Sequence, residues 1–145
     1  MIAIASDHGG LRLKRAVMEH LKSKNIEFKD FGTYSDESCD YPDFAEKAAQ
    51  SVISGESELG ILVCGTGIGM SIAANKIDGI RCALCSDCFS AEMAREHNDA
   101  NMMALGERVL GEFLALKIVD TFLESSFTGG KHSRRVAKIM QLQDK

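Results

Sequence analysis

The run Leu59-Gly60-Ile61-Leu62-Val63-Cys64-Gly65-Thr66-Gly67-Ile68-Gly69-Met70-Ser71 constrains this chain more than any other part of it. It opens as a short apolar segment of strand type and breaks into alternating glycines. It then resumes as a small-residue, helix-compatible segment from Met70 to Asn75. An apolar strand feeding a glycine turn that opens a helix is how α/β proteins offer backbone N–H groups to an anion. The glycines allow close approach, and the helix start supplies unpaired donors and a partial positive charge. Cys64 falls where the strand ends and the loop begins, and open α/β sheets bind ligands at the carboxyl ends of their strands. Its thiol is the leading candidate for chemistry.

Apolar runs and helical patterns alternate on both sides of this loop. Residues 1–6 read as a first strand and Asp7-His8-Gly9-Gly10 as its loop. Leu13, Val17 and Leu21 recur every four residues among charged neighbours, which predicts an amphipathic helix over 11–24. Residues 26–31 alternate imperfectly, like an edge strand, and 32–41 form a polar loop. Pro42 suits the first turn of a helix running to about Ser54 and stopping at Gly55. Beyond the central loop, 81–85 is a fourth strand, and Ser86 or Asp87 can cap a helix reaching about His97. A fifth strand over 102–105, a helix over 111–125 and a last helix over about 132–142 complete the chain. Strand–helix alternation with short connections implies a mainly parallel sheet covered on both faces, in one domain spanning residues 1–145.

The 145 residues carry 17 Lys and Arg against 21 Asp and Glu, a net charge of −4 that argues against non-specific binding to nucleic acid or an anionic membrane. No apolar run approaches the ~18 residues of a membrane span, and no basic region precedes an apolar one at the start, so a cytoplasmic location is expected. Five cysteines, an odd number, do not make a disulfide framework. Cys82, Cys85 and Cys88 have a spacing that metal sites use. A strand would nevertheless point Cys82 and Cys85 to opposite faces, which favours buried, inert thiols. Gly65-Thr66-Gly67-Ile68-Gly69 lacks the spacing of the dinucleotide fingerprint and follows the third strand, and Asn75-Lys76 does not end a P-loop.

Polar residues gather where strands end. Asp7-His8 follows the first strand, Cys64-Gly65-Thr66 the third and Ser86-Asp87 the fourth, so a parallel sheet should bring them together. His97-Asn98 ends a helix, and its place relative to the others is less determined. Each has a plainer reading: Asp7 as a helix cap, His97-Asn98 as an ordinary helix terminus, His20 as a surface histidine. In Gly129-Gly130-Lys131-His132-Ser133-Arg134-Arg135, three cations crowd a helix start, the unfavourable end of its dipole. Lys131 and Arg135 share a face, and a phosphate held between them would relieve the repulsion. A solvated basic face is the alternative.

Taken together, Ser6-Asp7-His8-Gly9-Gly10, Asp40-Tyr41-Pro42, the thirteen residues from Cys64, Arg95-Glu96-His97-Asn98-Asp99-Ala100-Asn101, Gly106-Glu107-Arg108 and Gly129-Gly130-Lys131-His132 resemble ribose-5-phosphate isomerase type B. This belongs to the wider ribose/galactose/allose phosphate isomerase family. The resemblance spans essentially the whole chain. It implies a Rossmann-like three-layer α/β/α sandwich with a five-stranded sheet, no cofactor and no metal. It also implies a homodimer with active sites built from both subunits, with a tetramer as the larger alternative.

By matching motif, Cys64 is implied as the base that moves a proton between carbons 1 and 2 of the open-chain sugar. Thr66 and the N–H groups of Gly65, Gly67, Ile68 and Gly69 stabilise the enediolate oxygen. His97, helped by Asp7, opens the furanose ring, and Asn98 holds the sugar. His8, Arg108 and Arg135 contact substrate, chiefly its phosphate. Some relatives use a glutamate where this chain has Met70, so Cys64 marks a thiol type. Lys131 stands where many members carry arginine, which keeps the charge and loses the bidentate fork.

The physical logic is coherent, because helix starts favour thiolates and oriented N–H groups stabilise an oxyanion by ~3–4 kcal/mol for a single donor. The expected activity is cofactor-independent interconversion of ribose 5-phosphate and ribulose 5-phosphate. Isomerisation of allose or galactose 6-phosphate, or non-catalytic phosphosugar binding, are the alternatives.

Overall fold

Alternation along the three longest strands divides their side chains between two cores, and this division organises the molecule. The computed structural model describes residues 1–145. Its strands are β1 (Ile2–Ser6), β2 (Phe28–Asp30), β3 (Leu59–Cys64), β4 (Cys82–Leu84) and β5 (Met102–Gly106). Its helices are α1 (Leu11–Ser23), α2 (Tyr41–Ile53), α3 (Ile68–Ala74), α4 (Cys88–Glu96), α5 (Glu112–Glu124) and α6 (Lys131–Gln141).

The sheet order is β2-β1-β3-β5-β4 and every neighbouring pair is parallel. Ile2, Ile4, Ile61, Val63, Met103 and Leu105 pack with Leu13, Val17 and Leu21 of α1 and Ile118 and Phe122 of α5, beside alanines of α4. Ala3, Ala5, Leu62, Cys64, Met102 and Ala104 instead meet Ala45, Ala48 and Ala49 of α2 and Met70 of α3. Helices therefore cover both faces, as unbroken apolar parallel strands require, and the fold is an α/β/α sandwich. No helix is long and apolar enough to cross a membrane.

The chain runs from β1 outward to β2 and then returns to place β3 on the other side of β1. The carboxyl ends of β1 and β3 consequently flank the point where strand order reverses, the usual ligand crevice of such sheets. The structure refines several expectations. The sheet is wholly rather than mainly parallel, because each connection is a crossover. β2 is shorter than 26–31: the Ile26 N–H is taken by the Leu21 carbonyl at the end of α1. Asp30 turns its carboxylate to Gly32 N–H and to the buried Lys14 at 2.7 Å. α3 begins at Ile68 rather than Met70, since Gly67 takes φ +81° and lets the helix start at once. Residues His8–Gly10 form a 3-10 turn instead of an open loop.

Candidate active site

The third strand ends by closing on its own loop. The Cys64 side chain is 5% exposed, and its Sγ accepts a hydrogen bond from Gly67 N–H at 3.1 Å. Thr66 Oγ1 accepts from Ile68 N–H at 3.2 Å. Two of the amides implied as enediolate donors are thus engaged within the loop, which orients the sulfur and fixes the turn. The N–H groups of Gly65 and Thr66 in the loop, and of Gly69 in the first turn of α3, donate to no protein acceptor.

β1 delivers its residues to the same place. A Cβ on Gly10 would lie 2.5 Å from the Val63 carbonyl, so only glycine lets this turn press against the end of β3. Asp7 Oδ1 accepts from Gly10 N–H at 3.0 Å, so the plainer reading of Asp7 as a cap is realised while the residue still faces the crevice region. His8 Nδ1 accepts the Cys39 N–H at 3.2 Å, which ties the β2–α2 loop to the site. Arg108 arrives from β5. Its guanidinium lies 3.2 Å from where a Gly65 Cβ would stand and 3.7 Å from the same point on Gly9. It forms no ion pair within the chain. Asp7, His8, Cys64, Thr66, Arg108 and the loop glycines therefore make one cluster.

His97, Asn98, Lys131 and Arg135 do not join it. The helix after a parallel strand returns to the opposite edge of the sheet, and α4 does so. The Asn98 and Asp99 carbonyls accept from Arg81 Nε, just before β4 begins. β3 has six residues and advances about 3.3 Å for each, which sets the two edges roughly 17 Å apart. At this amino edge His97 stacks on His132, with ring centroids 4.1 Å apart and planes 9° from parallel. Thr128 N–H and Oγ1 both donate to the Glu96 carbonyl, docking the chain before α6 onto the end of α4. Partial desolvation, then the charges of His97, Lys131 and Arg135, hold the His132 imidazole below its usual pKa. Ser86 and Asp87 sit at the carboxyl edge beyond β4, where Asp87 caps α4 by accepting from Ser90 N–H at 2.6 Å.

Residues 2–139 match the family described as Ribose/Galactose Isomerase. The chain belongs to that family. It is 46% identical over 144 residues to the ribose-5-phosphate isomerase B of Escherichia coli, covering 99% of this chain and 97% of that one. Its fold is similar to the solved ribose-5-phosphate isomerase B of Clostridium thermocellum, with TM-score 0.97 and 56% identity over 99% of this chain and 97% of that chain. The Mycoplasma genitalium ribose-5-phosphate isomerase B, solved with bound ribulose-5-phosphate, has TM-score 0.94 and 43% identity over 99% and 96% of the two chains. The resemblance read from the motifs therefore holds, and the ribose/galactose isomerase family supports aldose–ketose isomerase activity.

One side chain near the site had no role in the sequence reading. The Tyr41 ring packs on the start of α3, where a Gly69 Cβ would lie 2.5 Å from its Cε1. Its position just before Pro42, at a helix start, was the available signal. The three-cysteine spacing does not converge. Cys82 packs on the α2/α3 side and Cys85 on the α1/α5 side, and burial pushes their thiols up to about 12 and about 11.

Proposed function

We propose that the chain interconverts ribose 5-phosphate and ribulose 5-phosphate without a cofactor, through an enediolate, with Cys64 as the base. The observation that carries the reading is the Cys64 thiol at the strand-order reversal, oriented by Gly67 N–H and flanked by free loop amides and an unpaired Arg108. Cys64 takes the proton from carbon 2 of the open-chain aldose, and the carbonyl oxygen on carbon 1 becomes the enediolate oxygen. The N–H groups of Gly65, Thr66 and Gly69 stabilise that charge as it forms. Return of the proton to carbon 1, with transfer of the hydroxyl proton from O2 to O1, gives the ketose. His8 and Arg108 take the phosphate and orient the sugar from a remote point.

Ring opening by His97 with Asp7, contact of Asn98 with the sugar, and clamping by Lys131 and Arg135 require the amino-edge cluster of a second chain. A homodimer with shared sites supplies it, and a tetramer would repeat the same pairing. An apolar surface beside the Cys64 loop supports such a partner. Ile68, Ile72, Leu84, Phe89, Val109 and Phe113 are all exposed, Phe113 at 88%. Thr66, Ile68, Leu84 and Val109 share one hollow of about 220 Å³. α6, which carries Lys131 and Arg135, buries no residue within its own chain.

Proton NMR of ribose 5-phosphate in deuterium oxide tests the reading. Ribulose 5-phosphate signals should grow, with deuterium entering at the exchanging carbon, and Cys64→Ala should abolish turnover while leaving binding largely intact. No conversion by the native protein refutes the pentose assignment. Conversion of allose 6-phosphate alone would move the substrate to a hexose phosphate. Unchanged turnover in Cys64→Ala refutes the thiol base.

A further inference from the structure

Glu107 lies outside every role assigned above, yet it bonds to two of the segments around the Cys64 cluster, the start of α1 and the end of β3. Its Oε1 accepts the N–H of Leu13 at 2.7 Å, across 94 residues of sequence. Leu13 is the third residue of α1, and the residue before that helix, Gly10, offers it no side-chain cap. Glu107 thus supplies from the end of β5 the carboxylate that an α-helix start favours. Its own N–H donates to the Cys64 carbonyl at 2.9 Å, and the next residue, Arg108, donates its N–H to the Gly65 carbonyl at 3.0 Å. The Arg108 guanidinium then lies over Gly65 and Gly9, one glycine from each of the other two loops.

We propose that Glu107 is a positioning residue: by capping α1 it locks the β1–α1 turn to the β5–α5 turn and so aims Arg108 at the substrate phosphate. Its side chain does not touch substrate. The backbone bonds to Cys64 and Gly65 fix where Arg108 leaves the chain. The β1–α1 turn is held to β3, where Asp7 N–H donates to the Val63 carbonyl at 3.3 Å and Gly10 abuts the same carbonyl. The carboxylate on Leu13 N–H is the side-chain bond that ties the start of α1 to the β5–α5 turn as well. What matters is reach and an acceptor oxygen rather than charge alone. Glutamine keeps both, whereas aspartate keeps the charge and falls one methylene short.

The inference rests on the sugar-phosphate reading, so the test reads binding separately from turnover. Ribose 5-phosphate would be titrated calorimetrically into native protein and into Glu107→Ala, Glu107→Asp and Glu107→Gln. Hydrogen exchange at the Leu13 amide would be followed in each. Ala and Asp should weaken the dissociation constant about tenfold and expose the Leu13 amide, while Gln should stay within about threefold of native with the amide protected. A role confined to stability would lower Tm and leave the dissociation constant unmoved, which overturns the proposal. So does a pattern in which Asp rescues binding and Gln does not. Should Ala fail to fold, the Asp and Gln pair decides alone. A native protein that binds ribose 5-phosphate without converting it refutes the function while leaving this test intact.

Discussion

Gly106→Ala is the substitution for which the structure gives a magnitude. Gly106 ends β5 opposite Cys64 in the parallel register. A Cβ there would lie 2.6 Å from both the carbonyl carbon and oxygen of Thr66 and 2.8 Å from its Cα. Ordinary contact begins near 3.4 Å, so the Thr66 peptide must retreat by about 0.8 Å. It cannot do so freely, because the adjoining Cys64 and Gly65 carbonyls are bonded to Glu107 and Arg108 at 2.9 and 3.0 Å. Overpacking of this kind costs about 1–3 kcal/mol. In a chain of this length that lowers Tm by roughly 3–10 °C, which leaves the protein folded at 25 °C. The catalytic effect is larger, since a displacement near 1 Å of a positioning loop costs about 10²-fold. Steady-state kcat/KM for ribose 5-phosphate, read beside calorimetric Tm, checks both figures. Gly111→Ala is the control, because nothing lies within 4 Å of its Cβ position, and its kcat/KM should match the native enzyme. A Gly106→Ala enzyme within threefold of native kcat/KM would refute the reasoning, showing that the Thr66 peptide is free to move or irrelevant to turnover.

Three further outcomes are expected. Cys64→Ala and His97→Ala chains, each inactive, should recover about a quarter of native activity when unfolded together and refolded as an equal mixture, because half the dimers then hold one intact site. No recovery refutes the shared site. Asp87 is held below its ordinary pKa of 3.8 by the Ser90 N–H and hydroxyl, so its stabilising cap is present above that value and is lost as pH falls through the depressed folded value. The Tm gap between native and Asp87→Ala protein should be full at pH 7 and close in acid below pH 3.8; a gap independent of pH contradicts it. Cys82 and Cys85, their thiols pushed up to about 12 and about 11 by burial, should resist iodoacetamide at pH 8 until urea unfolds the chain. Labelling of either in folded protein as fast as Cys39 would contradict that.

Much of the architecture was legible because burial on both faces leaves a plain mark. Ile2 to Ser6 and Leu59 to Cys64 read as strands because parallel central strands are apolar without interruption, and Gly65 to Gly69 marks where one of them must turn. Residues that follow a parallel strand were also legible as neighbours, which is why Asp7, His8, Cys64 and Thr66 meet. His97 was not, because it follows a helix, and a crossover helix carries its last residues back to the far edge. β2 was read too long, since Ile26 completes the end of α1 instead of joining the sheet. Pairings such as Glu107 with Leu13 and Tyr41 with Gly69 leave no local pattern, because nothing near either residue in the sequence requires the other.

The two cores differ in a way that should shape how this protein tolerates change. On the α1/α5 side, large side chains such as Phe122, Ile118 and Leu21 fill the space, and damage comes from truncation, which opens holes. On the α2/α3 side, six alanines from β1, β5 and α2 bring sheet and helix close together, and they have almost nothing to lose. There the damage comes from growth: a single added methyl group must push α2 off the sheet. Cys64 belongs to this second, tight layer. Its sulfur sits in the layer where added volume has least room, so a family member that enlarged the alanines would shift the Cys64 thiol before it lost its fold.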